Sequence, residues 1–269
     1  MSVISIVNQK GGCGKTTTAV NLGACLAYKK GRKVLIVDSD PQAHATLSLG
    51  IKPDSVKLSL YDVLTNFKKE PRYIRTEMKD IIQKTKINNL DIACSNIDLA
   101  GAELELASVI GRENVLKKAL QKVRNDYDYI LIDCPPSLGL LTLNALVATD
   151  DVIIPVQTQF YALAGMQQLF KVINTVNEEL DHTVNILGAL PTMFDKRTNI
   201  GNEILNSIRE YFGPKVFNTV IHVNVQLVEA GMRGVPIFIH KPNSRGAKDY
   251  LELTEEVITL EERGNKKRA

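Results

Sequence analysis

The chain has 269 residues, 44 % of them hydrophobic and 23 % charged, with 33 basic against 30 acidic side chains and a formal net charge of +3. This is enough for a sizeable core in one α/β domain of ordinary globular composition. The small charge does not establish nucleic-acid binding by itself but leaves room for a local basic patch, and the lack of Trp advertises no stack of aromatic platforms for bases. Cys13, Cys25, Cys94 and Cys134 form no CxxC pair and no zinc spacing with His, so reduced thiols in a cytoplasmic protein are expected. The first twenty residues are not expected to be a signal peptide, and no run approaches the roughly 18 apolar residues of a membrane span.

In chain order, apolar runs alternate with amphipathic helical patterns, which predicts a doubly wound, mostly parallel sheet flanked by helices on both faces. Strands are expected at Ser2–Val7, Lys33–Val37, Asn89–Cys94, Tyr129–Ile132, Val152–Val156 and Val184–Leu190, with short ones at Val216–Ile221 and Ile237–Ile239. Helices are expected at Thr16–Lys29, Leu99–Leu106, Glu113–Arg124, Ser137–Ala148, Ala162–Asn177, Ile200–Tyr211 and Lys248–Leu260. Residues 50–88 read as a helical surface elaboration, with patterns at Leu60–Phe67 and Tyr73–Ile82. Residues 1–262 are expected to form one domain and residues 263–269 a basic, disordered tail.

The chemistry gathers at three strand ends, where ligands of open α/β sheets bind. After the first strand comes Gln9-Lys10-Gly11-Gly12-Cys13-Gly14-Lys15-Thr16-Thr17-Thr18. Glycines let successive backbone N–H groups converge on phosphate oxygens, and the following helix offers its N-terminus to the same anion. Gly11, Gly12, Cys13, Gly14 and Thr17 would line the phosphates, Lys15 would pair with the β- and γ-phosphates, and the Thr16 hydroxyl would bind Mg²⁺. After the second strand stand Asp38 and Asp40, and Asp133 ends the Tyr129–Ile132 strand, where phosphate-loop enzymes carry an acid that organises Mg²⁺. A turn acid for Asp40 and a helix N-cap for Asp133 are the structural alternatives.

The loop lacks the usual first glycine, Gln9 standing there, and carries a second lysine, Lys10, at its entrance. Lys-Gly-Gly-x-Gly-Lys-Thr-Thr resembles the deviant phosphate-loop ATPases. Asp38-Ser39-Asp40-Pro41-Gln42, Leu-Ala-Gly-Ala-Glu at 99–103, the 127–139 segment Tyr-Asp-Tyr-Ile-Leu-Ile-Asp-Cys-Pro-Pro-Ser-Leu-Gly, Tyr-Ala-Leu at 161–163 and Ser-Arg-Gly-Ala at 244–247 are similar to the ParA/Soj group of DNA-partitioning ATPases. The resemblance covers roughly residues 1–260 and implies a switch that binds ATP and Mg²⁺ and hydrolyses ATP to ADP. It assigns catalytic roles to Lys10, Lys15 and Asp40, with Lys10 reaching the nucleotide of a partner subunit in an ATP-bound homodimer. It further implies binding of nonspecific double-stranded DNA, a ParB-like centromere-binding partner and a nucleoid-associated location.

One segment departs from the group's Pro-Arg-Asn-Val-Arg-Leu-x-Glu-Ala: Val223 and Gln226 stand in place of both arginines. Arg197, Lys215, Arg233, Lys241, Arg245 and Lys248 remain as candidates for a DNA-binding surface. Three alternatives are weighed against the partition reading. A MinD-like ATPase at a membrane or on another cargo would need a basic amphipathic terminal helix, whereas Glu252, Glu255 and Glu256 make this one acidic. A metabolic kinase or synthetase would need an acceptor site. An iron–sulfur protein would need Cys94 and Cys134 as ligands.

Overall fold

The computed structural model describes residues 1–66, 76–159, 162–163, 165–180 and 182–268. Its elements are β1 (Ser2–Ile6), α1 (Lys15–Lys30), β2 (Val34–Asp38), α2 (His44–Ser48), α3 (Leu60–Leu64), α4 (Met78–Ile81), β3 (Ile82–Lys84), β4 (Leu90–Ala93), α5 (Leu99–Leu106), α6 (Val115–Gln121), β5 (Tyr129–Asp133), α7 (Leu140–Val147), β6 (Asp151–Gln157), α8 (Met166–Glu179), β7 (Asn185–Thr192), α9 (Asn199–Phe212), α10 (Val225–Met232), α11 (Ile237–His240) and α12 (Arg245–Arg268).

The strands lie in the order β3-β4-β2-β5-β1-β6-β7. Every pairing is parallel except that of β3 with β4. Both faces of the central strands are apolar, and the side-chain period of two divides them between two cores. On β1, Val3 faces one core while Ile4 and Ile6 face the other; on β5, Ile130 and Ile132 oppose Leu131 in the same way. Helices α5 to α8 cover the first face, and α1, α11 and α12 the second.

The expected doubly wound architecture is present, with five local corrections. Val216–Ile221 forms no strand: Val216 and His222 each make one isolated bridge, to Ala189 and Phe194. Ile237–Ile239 is the helix α11, because Pro236 precedes it in extended backbone and starts a helical turn. The helix expected from Ser137 starts at Leu140, after Pro135, Pro136 and Gly139 have carried the chain away from the sheet. Ile82 opens the antiparallel edge strand β3 instead of closing a helix; residues 73–75 of that expected helix lie outside the described residues, as do Phe67 and Tyr161. Helix α12 extends beyond Leu260 to Arg268.

Candidate nucleotide site

The three strand ends predicted to carry the chemistry meet at one place. Strands β2 and β5 are paired in register, so Asp38 is the neighbour of Asp133, and β1 pairs with β5 on its other side, setting the glycine loop beside both.

The loop is held from beneath. Asn8 Nδ2 donates to the Pro155 carbonyl at 2.7 Å while its Oδ1 accepts from Lys10 N at 3.0 Å. Thr192, at the end of β7, donates from Oγ1 to the Cys13 carbonyl at 2.8 Å. Gly12 and Gly14 adopt φ of 71° and 93°, a left-handed region that side chains disfavour, and this turns the chain into α1. The Lys15 side chain is buried and folds back over the loop, its Nζ donating to the Lys10 carbonyl at 3.0 Å. Thr16 and Thr17 are half-buried at the first turn of α1.

Asp38 is fully buried and its Oδ2 accepts from both the backbone N (2.8 Å) and the Oγ1 (2.7 Å) of Thr46. Burial pushes its pKa up to about 6 against the pull of those bonds, and the Asp40 charge adds to the rise. Asp38 is thereby joined to α2 through Thr46. Asp40 Oδ1 accepts from Gln42 N at 2.9 Å, so the turn geometry weighed as an alternative for this residue is present. The Asp40 carbonyl accepts from Ser95 Oγ at 2.8 Å, and Ser95 N donates to Thr46 Oγ1 at 3.1 Å.

Asp133 is different. It is completely buried, and among the described residues neither carboxylate oxygen has a partner at hydrogen-bond distance. Burial and the neighbouring Asp38 charge raise its pKa well above the carboxylate range, while the facing Thr16 side chain and Lys15 charge offset part of that cost. It caps no helix, since α7 begins at Leu140 with Gly139 before it. A buried carboxylate left unpaired beside a threonine hydroxyl and a lysine fits a site for a divalent cation. Among the described residues no three His, Cys, Asp or Glu side chains cluster as a complete cage. That suits Mg²⁺, which takes one or two protein ligands and fills its shell with phosphate and water.

All four cysteines are buried. Cys94 and Cys134 face opposite sides of the sheet and are not placed to act together. Burial pushes the Cys25 thiol up to about 11 and Cys94 up to about 12. Native protein is expected to react with less than one equivalent of a thiol reagent at pH 8, rising to four in guanidinium. Rapid release of one thiol in native buffer would show that the Cys13 loop opens.

The candidate DNA residues are all exposed. Arg197 is tied to Asp195 by two bonds, from Nε at 2.9 Å and Nη2 at 2.7 Å. Arg245 Nε lies 2.7 Å from Asp249 Oδ1 and 3.3 Å from His222 Nδ1. Arg233 caps the C-terminal end of α10, Lys241 that of α11, and Lys248 lies in the first turn of α12. Lys215 lines a cleft together with Arg209 and Arg263. Thr46, Ser95, Asn8 and Thr192 were not anticipated. Ser95 lies two residues beyond the end of β4, the one signal that could have marked it.

A family model described as AAA domain matches residues 1–186. The chain is 51 % identical over 255 residues to the sporulation initiation inhibitor protein Soj of Bacillus subtilis, covering 95 % of this chain and 97 % of that protein. It is 42 % identical over 252 residues to the chromosome-partitioning ATPase Soj of Treponema pallidum, covering 94 % and 95 %. The chain belongs to the ParA/Soj family of chromosome-partitioning ATPases.

Solved structures place this ParA/Soj-family chain among relatives with other names. Cobyrinic acid a,c-diamide synthase from Mycobacterium smegmatis, with bound ADP and magnesium, matches at TM-score 0.83 and 35 % identity, covering 98 % of this chain and 96 % of that one. The septum site-determining protein MinD from Pyrococcus horikoshii, complexed with Mg-ADP, matches at TM-score 0.77 and 28 % identity, covering 95 % of each. A shared fold does not separate these functions. The nearly full-length identity to Soj favours a partitioning ATPase.

Proposed function

We propose that this ATPase is a dimerisation switch for DNA partition. ATP and Mg²⁺ would be held by Gly11–Thr17 and by Thr16 with Asp133, and two copies would close face to face over the nucleotides. Bound Mg²⁺ would neutralise phosphate charge. Asp40 would orient the attacking water, Lys15 would hold the phosphates, and hydrolysis would relax both acidic segments and part the copies. The ATP-bound dimer would bind double-stranded DNA of any sequence through exposed Lys and Arg, and a ParB-like partner would stimulate turnover. Such a protein would reside in the cytoplasm on the nucleoid.

Lys10 carries this reading. Its backbone helps build the loop, yet its half-buried side chain pairs with no carboxylate among the described residues. A lysine at the mouth of a phosphate loop that already has Lys15 is suited to a second nucleotide, that of another copy.

One observation favours a different cargo. Helix α10 exposes Val225, Val228 and Met232 along one side, with exposed Val223 just before it. Such a surface does not attract phosphate. No described helix is long and apolar enough to cross a membrane.

A gel shift with unrelated duplex DNA, in ATP or ADP over a salt series, tests the proposal. Asp40→Ala is expected to keep ATP affinity, slow hydrolysis by about 10²-fold or more, and retain DNA in ATP. Binding should fall steeply with salt. Normal turnover would remove Asp40 from the chemistry; no ATP-dependent shift at low salt in either protein would exclude DNA as cargo.

A further inference from the structure

We propose that Glu103 is a positioning residue of the ATPase, fastening the Asp133 segment to the Asp40 segment through the stretch from Ser95 to Glu103. The inference rests on ATP hydrolysis and not on the identity of the cargo.

Helix α7 opens at Leu140 behind Gly139, which has no side chain to cap it. The cap comes from another helix: Leu141 N donates to Glu103 Oε1 of α5 at 3.1 Å. The carboxyl lies so close that a β-carbon added to Gly139 would stand 2.3 Å from Oε1 and 3.0 Å from Cδ. Gly139 has φ of −80°, open to any residue, so a side chain here would be opposed by the Glu103 carboxyl, which it would push aside, and not by backbone conformation. Only Cys134 to Leu138 separate Asp133 from this junction, and Thr142 Oγ1 fastens the Ser137 carbonyl at 2.6 Å.

The other end of the same stretch holds the first acidic segment. Ser95 Oγ donates to the carbonyl of Asp40 itself, and Ser95 N donates to the threonine that holds Asp38. Between the two ends α5 is seated on the core by Leu99, Ala102 and Leu106. A helix anchored in this way moves as a body, so a shift at Asp40 is carried to the start of α7, and from there to the chain leaving Asp133.

A cap that only stabilised α7 would lower the melting temperature and leave turnover of folded enzyme intact. Positioning predicts otherwise. In the full-length protein, Glu103→Ala is expected to lower kcat about ten-fold with KM for ATP within about two-fold, since sub-ångström misplacement acts on the chemical step. Glu103→Gln keeps an oxygen acceptor for Leu141 N and is expected to restore kcat to within about two-fold of wild type. Gly139→Ala displaces Glu103 without removing it and should reproduce the loss. Ser95→Ala with Glu103→Ala should be no worse than the more severe single variant, because releasing either end already uncouples the pair. Unchanged kcat in Glu103→Ala at a temperature where it is folded would overturn the proposal. So would Glu103→Gln as impaired as Glu103→Ala, or losses that multiply in the double variant.

Discussion

Lys15→Ala is expected to abolish nucleotide binding and turnover while leaving the fold intact. The amine of Lys15 is drawn back over the loop to the Lys10 carbonyl and is surrounded by backbone that offers donors but no formal charge. An anionic phosphate in that cradle is stabilised by oriented N–H groups and the end of α1, yet the mobile full charge comes from this side chain. Truncating one member of a buried, hydrogen-bonded charge pair costs about 2–5 kcal/mol, or roughly 30- to 4,000-fold in affinity. Stability of the ligand-free protein should change little, since the amine gives up one hydrogen bond to a carbonyl that also accepts from Cys13 Sγ. Calorimetric titration with Mg-ATP, paired with thermal unfolding, measures both quantities. Wild-type affinity in the variant would remove Lys15 from the phosphate site.

Asp133→Asn should separate activity from stability, with opposite signs. The variant keeps the shape of the side chain and loses its charge, so a site that needs the carboxylate to hold Mg²⁺ should lose several kcal/mol of transition-state stabilisation, about 10²-fold or more in turnover. The same change relieves the ligand-free protein, because burying a carboxylate charge completely beside Asp38 is costly. A higher melting temperature of the ligand-free variant at pH 8 is expected, measured by thermal unfolding.

The pH dependence fixes the sign. A carboxylate whose folded pKa is raised binds protons more tightly in the folded state; its contribution is full below the unfolded value near 3.8 and is lost as pH rises through the folded one, about 6 for Asp38. The advantage of Asp133→Asn should therefore grow as pH rises through the raised folded-state pKa of the wild-type carboxyl and shrink as pH falls toward the ordinary carboxylate range. A lower melting temperature in the variant at pH 8 would show that the buried carboxylate is not under strain.

Much of this architecture could be read from the chain. The central strands announce themselves because both of their faces are apolar and each ends in a glycine loop or an acid. What escaped has identifiable reasons. Short apolar runs such as Ile237–Ile239 serve a helix as well as a strand, and only the docking of α11 on α10 and α12 decides. Edge strand β3 is brief and half-exposed, so it lacks the signature of its buried neighbours. The groups that hold the acids, Thr46 and Ser95, are ordinary polar residues whose role depends on distant segments meeting. The charge of Arg197 is tied to Asp195, two residues before it, and a list of basic residues cannot reveal such pairing.

The order of synthesis gives one consequence of the strand arrangement. Strand β1 leaves the ribosome first, but its partners in the sheet are β5 and β6, and the floor of its loop is closed by Thr192. At about 5–20 residues per second the phosphate loop waits roughly 10–40 s for its walls, a long exposure for an apolar strand with two open edges. Nascent chains arrested before β7 should therefore hold no nucleotide, and ATP cannot serve as an early template for folding. Contacts this remote in sequence also make the parallel sheet slow to assemble.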